Sequence, residues 1–425
     1  MYIRRDRSKL HFGRQGRSLH LRRIAAIVLV LVVIGGAFLR FESLQKWAVG
    51  LIETGATPTA SAVELATEAE HYFQAGDLDA AVDLYRQAVA LEPDRMDIAF
   101  EFGRALLYDG YDGTQYNARI EELDALATDA VERAPDDARA RALLNLALYE
   151  QSRYNEAVAA GLRAVELAPD LAEAWAYLSM AYYWSGRPGN ALETAERAVT
   201  LNPDSVDARR ALAQALAYTG DTDAVIEQYQ EALARQPNLG PLYYELAIYY
   251  RAQGDFEAAV AAYDQVLAIE PENAKAYTRK CATYALQGEF ALAAETCSQA
   301  VELDPTYPEG YLNLGRAQYR NLNYESAAES FATCARLEDE QSLAPEDQSI
   351  DCVYIQGLSL ALLNRCPEAW PLLTRALQMS PNDTQREAIN SGMQTCITND
   401  PNYNGAAIPT PMTPTPAEEE PITVF

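Results

Sequence analysis

Histidine is nearly missing from this 425-residue chain: His11, His20 and His71 are the only three, and none follows residue 71. The 354 residues beyond it therefore hold no Ser-His-Asp triad, no H-E-x-x-H zinc site and no histidine acid–base chemistry. Lysine is scarce too, four against 30 arginines, a bias that points to a GC-rich, bacterial source. Positive charge as a whole is short, with 34 Lys+Arg facing 61 Asp+Glu for a net −27. The first 23 residues nonetheless carry eight Lys/Arg and one Asp, so residues 24–425 stand at −34. A body this acidic repels phosphate backbones, which argues against nucleic-acid binding. Hydrophobic residues still make up 49% of the chain, enough for a large core.

One long apolar run is present. Residues 24–39 read IAAIVLVLVVIGGAFL, without a charge, between Arg22-Arg23 and Arg40. At ~1.5 Å per residue such a helix spans roughly 24 Å of a ~30 Å hydrocarbon core, and snorkelling of Arg23 and Arg40 makes up the difference. The basic residues 1–23 are expected in the cytoplasm, residues 24–39 as a transmembrane signal-anchor, and everything beyond Arg40 outside. The competing reading is a cleaved signal peptide ending near Gly35-Gly36-Ala37. Residues 40–61 follow as a juxtamembrane linker or an amphipathic helix, with Leu44, Trp47, Ala48, Leu51 and Ile52 at helical spacing.

Proline then recurs at 135, 169, 203, 237, 271 and 305, five successive intervals of 34 residues. Pro93 lies 42 residues before this series and Pro381 lies 76 after it, so two repeats each carry an eight-residue insertion. Within a period, Trp175, Leu178, Ser179, Tyr182, Gly186, Ala191, Ala195, Ala198 and Pro203 step by three and four, building one helical face before Gly186 and another after it. The same frame fits Tyr243, Leu246, Ala247, Tyr250, Gly254, Ala259, Tyr263 and Pro271, and also Leu65, Ala69, Tyr72, Gly76, Ala81, Tyr85, Ala88 and Pro93.

This pattern resembles the tetratricopeptide repeat, W-x2-L-G-x2-Y, then A-x3-F, then P. The resemblance implies an all-α fold, a right-handed superhelical solenoid of antiparallel helix hairpins. About nine repeats fill residues 62–381, and a half-polar capping helix is expected over 382–400. Small residues at repeat positions 8 and 20 let the paired helices approach, a glycine near position 15 turns the chain, and proline stops the second helix. Repeat two departs most, around residues 109–113, and an acidic stretch over 338–349 separates repeats eight and nine. The tail, residues 401–425, is rich in Pro, Thr and Glu and is expected to be disordered, as a solvated end or as a ligand.

The repeat frame also sorts the six cysteines, all between 281 and 396 and none in a C-x-x-C. Positions 8 and 24 of repeat seven, Cys281 and Cys297, face each other across a hairpin. Cys334 lies late in repeat eight and Cys352 early in the helix that follows, while Cys366 and Cys396 meet where the second helix of repeat nine runs beside the cap. Three sequential disulfides are expected, and with them an oxidising compartment; the alternative is six buried free thiols.

In the family the resemblance implies, positions 2, 5, 9, 12 and 13 line the concave face. A partner-binding groove would then use Leu146, Tyr149, Ala176, Met180, Tyr183, Trp184, Arg210, Gln214, Tyr218, Tyr244, Ile248, Arg251, Arg316, Tyr319 and Arg320, although any of the aromatics could instead be inter-repeat core. Aromatic and arginine side chains suit a protein or peptide partner. The carboxylate-clamp form of the family carries Asn at position 9, where this chain has Met180, Gln214, Ile248, Ala282 and Arg316. The expected function is a non-catalytic, membrane-anchored, single-pass scaffold for protein–protein interaction, needing no cofactor or metal. Two rivals are an extracytoplasmic chaperone-like holder of newly translocated chains and an enzyme built on an unrecognised carboxylate pair.

Overall fold

A computed structural model describes residues 60–110, 116–344 and 347–399. Among these residues there are 19 α-helices and no strands. The first six hairpins are α1 (Ala62–Ala75) with α2 (Leu78–Leu91), α3 (Met96–Gly110) with α4 (Tyr116–Arg133), α5 (Ala138–Glu150) with α6 (Tyr154–Leu167), α7 (Ala172–Trp184) with α8 (Pro188–Leu201), α9 (Val206–Leu216) with α10 (Thr222–Arg235), and α11 (Gly240–Gln253) with α12 (Phe256–Ile269). Three more follow: α13 (Ala274–Gln287) with α14 (Phe290–Leu303), α15 (Pro308–Arg320) with α16 (Tyr324–Glu340), and α17 (Ile350–Leu362) with α18 (Cys366–Gln378). A last helix, α19 (Asp383–Asn399), packs on α17 and α18.

Local chemistry sets the ends of these helices. Asp77, Asp221 and Asp255 each accept a hydrogen bond from the backbone N–H three residues on, and α8, α11, α15 and α18 carry proline in their first turn. Gly186 and Gly254 turn their hairpins at φ 76° and 78°, but Ser152, Leu322 and Asn364 take the same left-handed corner at φ 60°, 64° and 61°. Glycine at position 15 is thus a preference worth roughly 1 kcal/mol, not a requirement. The insertion of repeat eight shows as a longer helix: α16 has 17 residues where α14 has 14.

The close approach expected between positions 8 and 20 is direct. Ser179 Oγ donates to the Ala191 carbonyl at 2.7 Å, and Ala191, Ala195 and Ala198 are fully buried behind it. Gly161 is tighter still, since a Cβ there would fall 2.1 Å from Asn145 Nδ2 and 3.1 Å from Leu178 Cδ1.

Beyond neighbour-to-neighbour stacking, the first six repeats touch across long sequence distances. The Phe100 ring lies 6.1 Å from that of Tyr177. Asp207 of α9, almost fully buried, accepts from Tyr108 and from Arg104 of α3, each at 2.7 Å. Asn238 Nδ2 donates to the Gln74 carbonyl at 3.1 Å, spanning 164 residues. These contacts close the hollow side of repeats one to six on itself.

In the last third, the sulfurs of Cys281 and Cys297, of Cys334 and Cys352, and of Cys366 and Cys396 lie at disulfide distance, with Cα separations of 5.3, 5.9 and 5.4 Å. These separations fall in the ordinary range for such bonds. Among the described residues no helix is long and apolar enough to cross a membrane. The anchor expected at 24–39, the basic lead, the linker up to residue 59 and the tail at 401–425 lie outside the described residues.

Candidate functional site: an aromatic cavity inside the closed solenoid

The inward faces of α5, α7, α9 and α11 meet around a cavity of about 520 Å³. Its walls include Tyr149, Glu150, Tyr183, Trp184, Arg210, Gln214, Glu245, Ile248 and Tyr249, with Leu107 of α3, Tyr116 of α4, Tyr154 of α6 and Tyr229 of α10. Rings run along one side: Tyr149 lies 6.0 Å from Tyr154, Tyr154 stacks on Trp184 at 6.0 Å, and Tyr183 meets Trp184 edge-on at 5.6 Å. Trp184 is 47% exposed and Ile248 54%, so the cavity opens to solvent past two large apolar side chains.

Six of the fifteen residues expected in the groove line this cavity: Tyr149, Tyr183, Trp184, Arg210, Gln214 and Ile248. The structure places the others elsewhere. Leu146 and Met180, with Ala176, are buried in the same apolar cluster as Phe100, Phe102 and Leu107, because closure of the solenoid packs the inward face of repeats three and four against α3. Tyr244 is buried between repeats, with its ring 5.9 Å from Tyr263 and its hydroxyl donating to Asn273 Oδ1 at 3.0 Å. Tyr218 is 69% exposed and away from the cavity. Arg316 is exposed and paired with Asp351, Arg320 sits 5.2 Å over the Phe290 ring, and half-buried Arg251 and Tyr319 are likewise not in its walls. Sequence reasoning missed Glu150, Tyr154, Glu245 and Tyr249. Glu150 holds the inward position 13 of its repeat and had a signal; Glu245 and Tyr249 hold positions the repeat frame assigns to neither face.

Arg210 is the electrostatic centre. It is 5% exposed, its Nε and Nη2 donate to Glu245 Oε1 at 3.0 and 2.5 Å, and its guanidinium lies 5.3 Å over the Tyr108 ring. Its Nη1 is buried without a hydrogen-bond partner, as is Gln214 Oε1. One unpaired donor and one unpaired acceptor thus belong to residues that line the same cavity, each costing about 1–3 kcal/mol while it stays unpaired. Burial pushes the Glu150 carboxyl above its ordinary range, against the Arg210 charge and a hydrogen bond from the Tyr116 hydroxyl at 3.1 Å. Tyr108 is held well above the usual phenol range, first by burial and then by the Asp207 charge, so it stays a donor to Asp207.

Buried carboxyls of the solenoid also carry a pH dependence. Burial raises Asp109, at the end of α3, from 3.8 to about 6, opposed by Arg119 at 2.5 Å and reinforced by the charges of Asp79 and Glu270. A carboxyl whose folded pKa is raised binds its proton more tightly folded than unfolded, so stability is lost as pH climbs from about 4 to about 6 and is level above. Burial shifts Glu101 and Glu338 in the same direction. The thermal midpoint should therefore fall between pH 5 and pH 7, and Asp109→Asn should flatten that fall; a wild-type midpoint that rises over the interval overturns the assignment.

Cys334, Glu338 and Cys352 group closely enough to hold a metal ion, but the two sulfurs are bonded to each other, which removes both thiolates from the donor set.

Comparison with known proteins agrees with the helical pattern. Sequence models of the tetratricopeptide repeat match residues 67–110, 123–172 and 244–308, and a second model of that repeat matches 172–215. No curated protein matches the chain. Among solved structures, the C-terminal part of a TPR repeat-containing protein from Cytophaga hutchinsonii is 16% identical, with 57% of this chain and 96% of that one covered at a TM-score of 0.46. PilF of Pseudomonas aeruginosa is 17% identical over 52% of this chain and 98% of that one, at 0.43. The Cut9–Hcn1 hetero-tetramer of the APC/C is 15% identical, with coverage of 84% and 82%, at 0.45. Such repeats generally serve as protein-interaction scaffolds and are typically non-catalytic. The chain thus carries tetratricopeptide repeats, folded as an all-helical solenoid.

Proposed function

We propose that this protein is a single-pass, membrane-anchored scaffold whose solenoid stands outside the cytoplasm and grips a segment of another protein in the cavity between α5, α7, α9 and α11. One observation carries the reading: Arg210 and Gln214, whose Nη1 and Oε1 are a buried donor and a buried acceptor without partners among the described residues, both line one aromatic cavity. A peptide group supplies both complements, a carbonyl for the arginine and an N–H for the glutamine. The tyrosines and Trp184 offer large contact area at low entropic cost. The charge-free run at 24–39 behind seven arginines and a lysine supports the anchor and its orientation, and three cysteine pairs suit an oxidising compartment.

Co-purification from membranes tests it. A double Tyr183→Ala, Trp184→Ala variant should retain at least tenfold less of a stoichiometric partner than wild type, since aromatic anchors of this kind carry about 2 kcal/mol or more each. Full retention by the variant places the partner elsewhere, and recovery of a broad set of unrelated chains favours a chaperone-like holder. A reporter fused after Phe425 that is active only in the cytosol rules out the orientation.

A further inference from the structure

We infer that the side chain this cavity selects is a guanidinium: an arginine of the partner polypeptide enters among the rings and pairs with Glu150. The inference rests on the peptide-binding reading above and adds the chemistry of the guest. Two carboxylates, Glu150 and Glu245, and one cation, Arg210, line the cavity. Glu245 is satisfied by a two-nitrogen clasp from Arg210, and that pair cancels. Glu150 is left with a single hydrogen bond from the Tyr116 hydroxyl, and among the described residues no cation lies within ion-pair distance of it. Two carboxylates and one guanidinium therefore give the cavity an excess of one formal negative charge, with Glu150 the carboxyl outside the ion pair, beside a row of aromatic faces.

Both features select the same guest. Ring faces are negative and attract cations, and a planar guanidinium stacks on them while its nitrogens engage a carboxylate, which a compact ammonium does less well. An anionic guest would meet two carboxylates and the negative faces of the tyrosines. A neutral apolar guest would bury Glu150 with no counter-ion, at a high desolvation cost. The mouth is marked by Trp184, 47% exposed although it stacks on Tyr154, as an open platform for an incoming side chain requires. Beyond the cavity, the −27 net charge of the chain raises the local concentration of basic segments.

The test uses the purified full chain and isothermal titration with an acetylated, amidated Gly-Tyr-Arg-Tyr-Gly peptide. Companion peptides carry citrulline, the neutral isostere, or glutamate at the centre. The arginine peptide should bind about tenfold or more tighter than the citrulline peptide, and Glu150→Gln should bring the two within about threefold while its thermal midpoint does not fall below the wild-type value. Equal affinity of the arginine and citrulline peptides in wild type overturns the guanidinium assignment and leaves the peptide groove standing. Preference for the glutamate peptide also overturns it, by making Arg210 the anchor. Failure of all three peptides to bind removes the groove reading and this inference together. The wild-type comparison holds even if the variant is unstable.

Discussion

Replacing Arg210 with methionine is expected to destabilise repeats three to six by about 3–5 kcal/mol, because it strands the Glu245 carboxylate in an interior where its cationic partner among the described residues was 2.5 Å away. The pair sits at the junction of α9 and α11, and the same guanidinium caps the Tyr108 ring of α3, so the loss also loosens the closure of the first repeats onto the fifth. The double replacement Arg210→Met, Glu245→Leu should recover most of the stability, since no charge is then left buried alone. Urea unfolding followed by circular dichroism reads the cost, and hydrogen exchange places it, because repeat arrays can lose one region before another. A single variant that costs less than about 1 kcal/mol, or a double variant worse than the single, contradicts the buried-pair account.

Reduction of the disulfides is the second large effect. Each bond closes a short loop, its cysteines separated by 16, 18 and 30 positions, and each is expected to contribute about 2–4 kcal/mol. All three lie in the last three hairpins and the cap, and none in the first six. A reductant should therefore lower the protection of α13 to α19 while leaving α1 to α10 near their starting values, a polarity that uniform destabilisation would not give. The unreduced protein should resist thiol alkylation at all six positions. Equal protection of the C-terminal hairpins with and without reductant defeats the prediction.

What is legible in the sequence follows from how a solenoid is built. Each hairpin packs mainly on its neighbours, so the 34-residue proline spacing and the small residues at positions 8 and 20 carry the all-helical stack by themselves. The cysteine partners were legible for the same reason, as Cys281 and Cys297 lie within one hairpin and the other two pairs join neighbouring helices. Gly186 and Gly254 announced their turns, whereas Ser152, Leu322 and Asn364 at the same corner did not, because a non-glycine residue can occupy it at modest cost.

The residues alone determined a periodic helical chain, strongly acidic, without histidine chemistry over most of its length. Tertiary structure alone decided which inward residues a partner could reach. Small rotations from hairpin to hairpin accumulate until α3 meets α9 and Asn238 meets Gln74, contacts between residues 99 to 164 positions apart that leave no periodic mark. That closure buried Leu146 and Met180, which the repeat frame places on an open surface, and gathered Glu150, Arg210 and Glu245 from three repeats into one aromatic cavity.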